Sequence, residues 1–126
     1  MKLATVVILL TLLCGCTHST MVRFKVEPTM STEFNQSDID KIGDALVVQK
    51  IAHKTEYPGD YFMAEKTPYW EILSLRLFES NMYLKVQRVS GHVIDFSEEW
   101  KREFIQWSES FVEDATSKKV IIVEQE

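Results

Sequence analysis

The feature that most constrains the fold of this chain is a stripe of four aromatic residues near its C-terminal end: Trp100, Phe104, Trp107 and Phe111. The spacing i, i+4, i+7 and i+11 places all four within about 60° of one another around a helix. Charged residues such as Glu99 occupy much of the remaining surface. The sequence therefore predicts an amphipathic helix whose aromatic side packs against a second layer, and Asp95 or Ser97 is expected to cap its start.

Alternation of apolar and polar residues predicts strands in three other segments, which are Met21–Glu27, Trp70–Phe78 and Met82–Val89. A β-branched run at Val120–Val123 predicts a fourth strand. These four segments supply the sheet on which the aromatic helix would pack.

The second and third strands are expected to form a hairpin about Ser80 and Asn81. In the expected register, Arg76 lies opposite Lys85, and the apolar residues of both strands share one face.

A first helix is expected after Ser37, which is a candidate N-cap, with Ile39, Ile42 and Leu46 along its apolar side. The predicted order is β-α-β-β-α-β. This order resembles the ferredoxin-like plait, an α+β fold with an antiparallel sheet and both helices on one face. Lys54–Pro68 is expected to be a long irregular loop.

The first residues have the composition of a targeting segment. Lys2 is followed by an apolar stretch from Leu3 to Leu13, which is too short for a membrane span of roughly 20 residues. The next residues, Leu13-Cys14-Gly15-Cys16, resemble the lipobox of bacterial lipoproteins, although Cys14 is a slight departure from the usual small residue.

The lipobox resemblance implies cleavage before Cys16, diacylglycerol on its sulfur and acylation of the new amino group. Residues 1–15 would then be the signal peptide, residues 16–20 the acylated cysteine with a short tether, and residues 21–126 a single domain. Two or more acyl chains hold a protein stably on a membrane. Because Thr17 rather than Asp follows the cysteine, the resemblance implies the outer membrane, with the domain facing the periplasm. The alternative is an ordinary secretory signal that ends near Gly15.

Net charge and cysteine content argue against two classes of function. The formal net charge is −5, which argues against nucleic-acid binding because such binding needs basic surface. Both cysteines, Cys14 and Cys16, lie in the leader region, so the expected domain has neither a disulfide nor a cysteine nucleophile.

No catalytic, metal or cofactor motif is evident in the sequence. Ser90, His92 and Asp95 are too close along the chain to resemble a catalytic triad. Asp38 and Asp40 lack the spacing of a calcium loop and are better explained as helix-start acids. The protein is therefore expected to be non-enzymatic and to need no cofactor.

Two surfaces remain as candidates for binding. The first is the outer sheet face, where cations and aromatic residues are expected to converge: Arg23, Lys25, Arg76, Phe78, Tyr83 and Lys85. The second is the aromatic-rich loop, with Tyr57, Tyr61, Phe62, Tyr69 and Trp70. The alternatives are an ordinary solvated sheet face and a loop that packs over an open end of the core.

These observations together predict a membrane-anchored envelope lipoprotein that acts as a non-catalytic binding or accessory module. Its partner is expected to be another envelope protein or an anionic surface component. The alternative is a periplasmic immunity or inhibitor lipoprotein that neutralises a toxin or a hydrolase. The sequence does not determine the oligomeric state.

Overall fold

The fold is α+β, with one sheet and two helices. The computed structural model describes residues 18–29, 33–66, 69–90 and 95–125. The helices are α1 (Gln36–Val48) and α2 (Glu98–Thr116). The strands are β1 (His18–Pro28), β2 (His53–Lys54), β3 (Asp60–Lys66), β4 (Tyr69–Phe78), β5 (Asn81–Ser90) and β6 (Val120–Gln125).

All strands of the described chain belong to one antiparallel sheet with the order β2-β3-β4-β5-β1-β6. The sequence predicted only four of them. The expected irregular loop at Lys54–Pro68 is wrong, because the segment contains β3 (Asp60–Lys66), which pairs with β4. A register shift between Phe62 and Ala64 interrupts the alternation of β3, which explains why no period-two pattern marked the strand.

The two helices pack on the same face of the sheet and contact each other. Alternate strand residues, such as Val22, Phe24 and Val26 in β1, are buried beneath them. From the helices, Ile42 and Leu46 of α1 and Phe104 of α2 complete this core. The opposite side of the sheet, here called the open face, presents the intervening strand residues.

Strand β1 is longer than its alternation indicated. It begins at His18, where residues 18–20 were expected to be tether, and pairs with β5 from that point onward. Backbone pairing with β5 explains the extension, because Ser19 and Thr20 lie opposite Val89 and Arg88. The described part of the chain therefore begins two positions after Cys16, which itself lies outside the described residues.

The helix starts were partly predicted. Ser97 caps α2 through a 3.0 Å hydrogen bond from the Trp100 amide, which confirms one of the two expected caps. The expected Ser37 cap of α1 is wrong. Asn35 is the N-cap, and its side chain and that of Asp38 accept reciprocal backbone hydrogen bonds in a capping box.

The β4–β5 hairpin has a different register from the expected one. Its two-residue turn is Glu79-Ser80, and both residues have positive φ, as a type I′ turn requires. Arg76 consequently lies opposite Tyr83 and not opposite Lys85. The displacement is two residues, so every side chain keeps its predicted face although its partner changes.

Candidate functional site

The open face carries most of the exposed large apolar side chains of the described chain. Eight such side chains are exposed, and only Val48 and Tyr57 lie elsewhere. The six on the open face come from four strands, and they are Met21, Phe62, Trp70, Phe78, Ile121 and Val123. A monomer seldom gathers its exposed apolar residues on one side without a binding role.

Cations lie among these apolar side chains. Arg23 of β1 is directly opposite Lys85 of β5, and neither forms an ion pair with any residue that the structure describes. Lys25 lies opposite Tyr83, and its ammonium is 3.5 Å from the Glu27 carboxylate. The plait order, applied to the sequence alone, predicts that Lys25 lies beside Lys85. That prediction is wrong, because Arg23 occupies that place.

Arg76, another predicted cation of this face, has a structural role. Its guanidinium is 2.7 Å from the Asp60 carboxylate and donates to the carbonyls of Leu75 and Pro58 at 2.9 and 3.4 Å. It thereby fastens the turn before β3 to β4. Gly59 in this turn has a φ of +82°, and a Cβ there would lie 2.7 Å from the Arg76 guanidinium.

The remaining predicted residues of the sheet face, Phe78 and Tyr83, do lie on the open face. Phe78 is 63 % exposed at the hairpin end of β4. Tyr83 is half-buried between Arg76 and Lys25. The structure thus brings together five of the six residues proposed for this surface, and the sixth, Arg76, is already engaged with Asp60.

The five aromatic residues expected in the loop separate into different environments. Phe62 and Trp70 form an edge-to-face pair on the open face, with ring centroids 6.1 Å apart. Tyr57 is exposed in the turn before β3. Tyr61 is buried beneath α1, and the Tyr69 side chain lies outside the described part of the chain. The loop is therefore no single site, and two of its members belong to the open face.

Tyr61 packs against α1 at Gly43. A Cβ at Gly43 would lie 2.9 Å from the Tyr61 ring carbon that carries the hydroxyl, and closer still to that hydroxyl oxygen. Burial raises the pKa of the Tyr61 phenol, and the carboxylates of Asp44 and Asp40 raise it further.

The aromatic stripe of α2 is only partly core. Phe104 and Phe111 are buried, whereas Trp100 and Trp107 are half-buried. The two tryptophans line a groove of about 310 Å³ between α2 and the sheet, which also contains Glu71 and Glu103.

Arg88 is a residue that the sequence reasoning missed. Its guanidinium lies 4.2 Å from the Phe96 ring centroid and 5.1 Å from that of Trp100, and it donates to the Asp95 carbonyl at 3.1 Å. The side chain is buried, because Arg88 falls in the same alternating phase of β5 as Leu84. An arginine in the apolar phase of a strand was the signal that could have identified it.

The structure also places the residues that the sequence analysis considered for metal binding and catalysis. No cluster of three or more potential ligands among them could hold a metal ion. Asp38, considered as a metal ligand, instead accepts from the Lys118 ammonium at 2.7 Å. Of the local Ser90, His92 and Asp95 arrangement, His92 lies outside the described residues.

No family model, curated protein or solved structure matches this chain. Neither described helix is long and apolar enough to cross a membrane.

Proposed function

We propose that this protein is a membrane-anchored envelope lipoprotein whose domain is a non-catalytic binding module, and that the open face is its binding surface. The single observation that carries the proposal is the concentration of exposed apolar side chains on that face, around Arg23 and Lys85, which form no ion pair within the described part of the chain. An acidic chain gains no stability by placing two such cations side by side. An anionic partner would make charge-assisted contacts with both.

The anchor in this proposal is Cys16, and its support is the lipobox resemblance of residues 13–16. Replacing Cys16 with Ser should abolish incorporation of labelled fatty acid and release the protein from the membrane fraction or stall its processing. Equal processing and equal membrane association of the wild type and Cys16→Ser would contradict the lipoprotein assignment. The outer membrane, with the domain facing the periplasm, is the location we propose from Thr17.

We also propose that the fold is a ferredoxin-like plait extended at one edge. The support is the order of the four predicted strands within the sheet, which is β4-β5-β1-β6, with α1 and α2 together on one face. Strands β2 and β3 would then be additions beside β4. This fold implies no particular function, because unrelated activities use it.

The binding role can be tested by site-specific crosslinking in cells. Cysteine is otherwise confined to positions 14 and 16, so a single new cysteine can carry a photo-reactive group. Phe78→Cys places the group on the open face, and Val48→Cys, at an even more exposed apolar position on α1, is the matched control. We expect a discrete adduct with an envelope component from position 78 and none from position 48. The same pattern from both positions would contradict the proposal, and an adduct with a toxin or hydrolase would identify the inhibitor alternative.

A further inference from the structure

We infer that the half of the open face nearest to Cys16 lies against the lipid headgroups of the membrane that holds the anchor. This inference rests on the lipoprotein proposal above and adds to it a definite orientation and a definite partner for Trp70, Met21, Phe62, Arg23 and Lys85.

The start of β1 fixes which end of the sheet is close to the membrane. His18, the first residue of the strand, is two positions after Cys16, and a step of two residues spans at most about 7 Å. His18 pairs with Ser90 of β5, which in turn pairs with Tyr69 of β4. The ends of β1, β5 and β4 therefore lie close to the anchor, because the pairing fixes Ser90 and Tyr69 beside His18.

The open face at this end has the chemistry of a membrane-interface contact. Trp70 is 49 % exposed in the first row, with Val89 beside it. Met21 and Phe62, which are 46 % and 37 % exposed, lie in the next row. Tryptophan prefers the boundary between headgroups and acyl chains, where its apolar ring and polar N–H are both accommodated.

The cations follow directly behind this apolar end. Arg23 and Lys85 lie one row further along β1 and β5, two residues from Met21 and Gln87, which is about 7 Å along the strand. At that distance their side chains would reach phosphate groups while Trp70 enters the interface. Anionic lipids would relieve the repulsion between these two cations, and a second copy of the same face would increase it.

The acidic side chains of the chain determine the tilt of the domain. Helix α2 begins at the same end of the sheet, where the Arg88 guanidinium reaches the Asp95 carbonyl just before the helix. Its first six residues lie on the opposite side of the sheet from Arg23, and they carry three carboxylates, Glu98, Glu99 and Glu103, against two cations, Lys101 and Arg102. Anionic lipids repel this side and attract the open face, so the domain would lean with its open face toward the membrane.

The test measures quenching of tryptophan fluorescence by lipids that carry bromine on their acyl chains. The full acylated protein is reconstituted into vesicles that contain about a third phosphatidylglycerol, an anionic lipid. We expect the wild type to be quenched and Trp70→Phe, which keeps Trp100 and Trp107, to lose most of that quenching. Equal quenching of the wild type and Trp70→Phe would overturn the inference.

A matched variant tests the orientation. Trp70→Phe combined with Phe78→Trp moves the probe to the other end of β4, where residue 78 is 63 % exposed and about 27 Å from residue 70. We expect much weaker quenching from position 78, and quenching as strong as that of the wild type would overturn the tilted arrangement. If Trp70 of the wild type is not quenched and the open face crosslinks to a protein or to a second copy, the face belongs to that partner instead.

A second measurement separates this inference from the anchor itself. The Cys16→Ser chain is mixed with vesicles with and without phosphatidylglycerol, and binding is followed by sedimentation. We expect weak, salt-sensitive binding to the anionic vesicles only, and a loss of more than about tenfold when Arg23 and Lys85 are both changed to Glu. If fatty acid is absent from the wild type while this binding persists, the lipoprotein proposal fails and the affinity of the open face for anionic lipid stands without an anchor. If the protein is acylated but the Cys16→Ser chain binds neither vesicle, only the present inference fails.

Discussion

Arg23 and Lys85 lie directly opposite each other across the β1–β5 ladder, and neither side chain has an ion-pair partner among the described residues. Like charges at directly paired positions destabilise a sheet. The pair therefore costs some stability in the isolated domain, and an anionic ligand would remove that cost. This relationship gives the open face both its proposed function and a measurable signature.

The first prediction is that Lys85→Glu stabilises the isolated domain. The new carboxylate would lie opposite Arg23 and replace repulsion by attraction, so the free energy of unfolding should rise by about 0.5–1 kcal/mol. Chemical denaturation at low ionic strength measures this change, and added salt should reduce it. The control is Lys25→Glu, which removes the contact between Lys25 and Glu27 and should lower stability. A decrease for Lys85→Glu equal to that of the control would contradict the prediction.

The second prediction ranks two aromatic residues of α2 by the loss of stability when each is replaced with alanine. Phe104 is 8 % exposed and packs 5.0 Å from Phe24, so Phe104→Ala should cost about 3–5 kcal/mol. In the sequence, Trp107 belongs to the same aromatic stripe as Phe104, so periodicity alone predicts a similar cost for both residues. Because Trp107 is half-buried and borders a groove, Trp107→Ala should cost clearly less than Phe104→Ala. Equal destabilisation in thermal or chemical unfolding would show that the groove closes in solution.

The sequence determines the face of a strand residue more readily than its pairing partner. The face of each residue in β1, β4 and β5 was predictable, because alternation alone assigns a side chain to one side of a sheet. The pairing partner was not, because it depends on a turn in which Glu79 and Ser80 adopt positive φ without being glycine or asparagine. The open face was therefore predicted, while the pairing of Arg76 with Tyr83 across the hairpin was not.

The sequence pattern also predicts neither strand β3 nor the ion pair between Arg76 and Asp60. The register shift after Phe62 breaks the period of the strand, and its partner in the sheet is known only once β4 is placed. Asp60 precedes Arg76 by sixteen residues, and no local pattern links them. Long-range pairs of this kind arise from the sheet order, which single-sequence periodicity does not contain.

The third prediction concerns Gly43. Replacing a helical glycine with alanine ordinarily stabilises a protein by up to about 1 kcal/mol. At this position the new Cβ would meet the Tyr61 ring and hydroxyl, so Gly43→Ala should lower the free energy of unfolding. Adding Tyr61→Phe removes the hydroxyl and should recover part of the loss, which a double-mutant cycle would detect as coupling. A more stable Gly43→Ala protein would show that Tyr61 does not occupy this site.

The fourth prediction follows from the phenol of Tyr61. Burial, with Asp44 and Asp40 nearby, raises its folded-state pKa above the ordinary value of 10.0. The folded protein therefore holds this proton more tightly than the unfolded chain does, and the associated stability is fully present below pH 10. As the pH rises from 10 through the folded-state pKa, the unfolded chain ionises first and that stability is lost. Unfolding by urea between pH 9 and about pH 11 should thus show that the free energy of unfolding declines more steeply with pH for the wild type than for Tyr61→Phe.

Tyr57→Phe, at an exposed tyrosine in the turn before β3, is the matched control, and its free energy of unfolding should decline as that of the wild type does. If Tyr61→Phe and Tyr57→Phe decline alike, the Tyr61 phenol does not occupy the buried, acidic environment beneath α1.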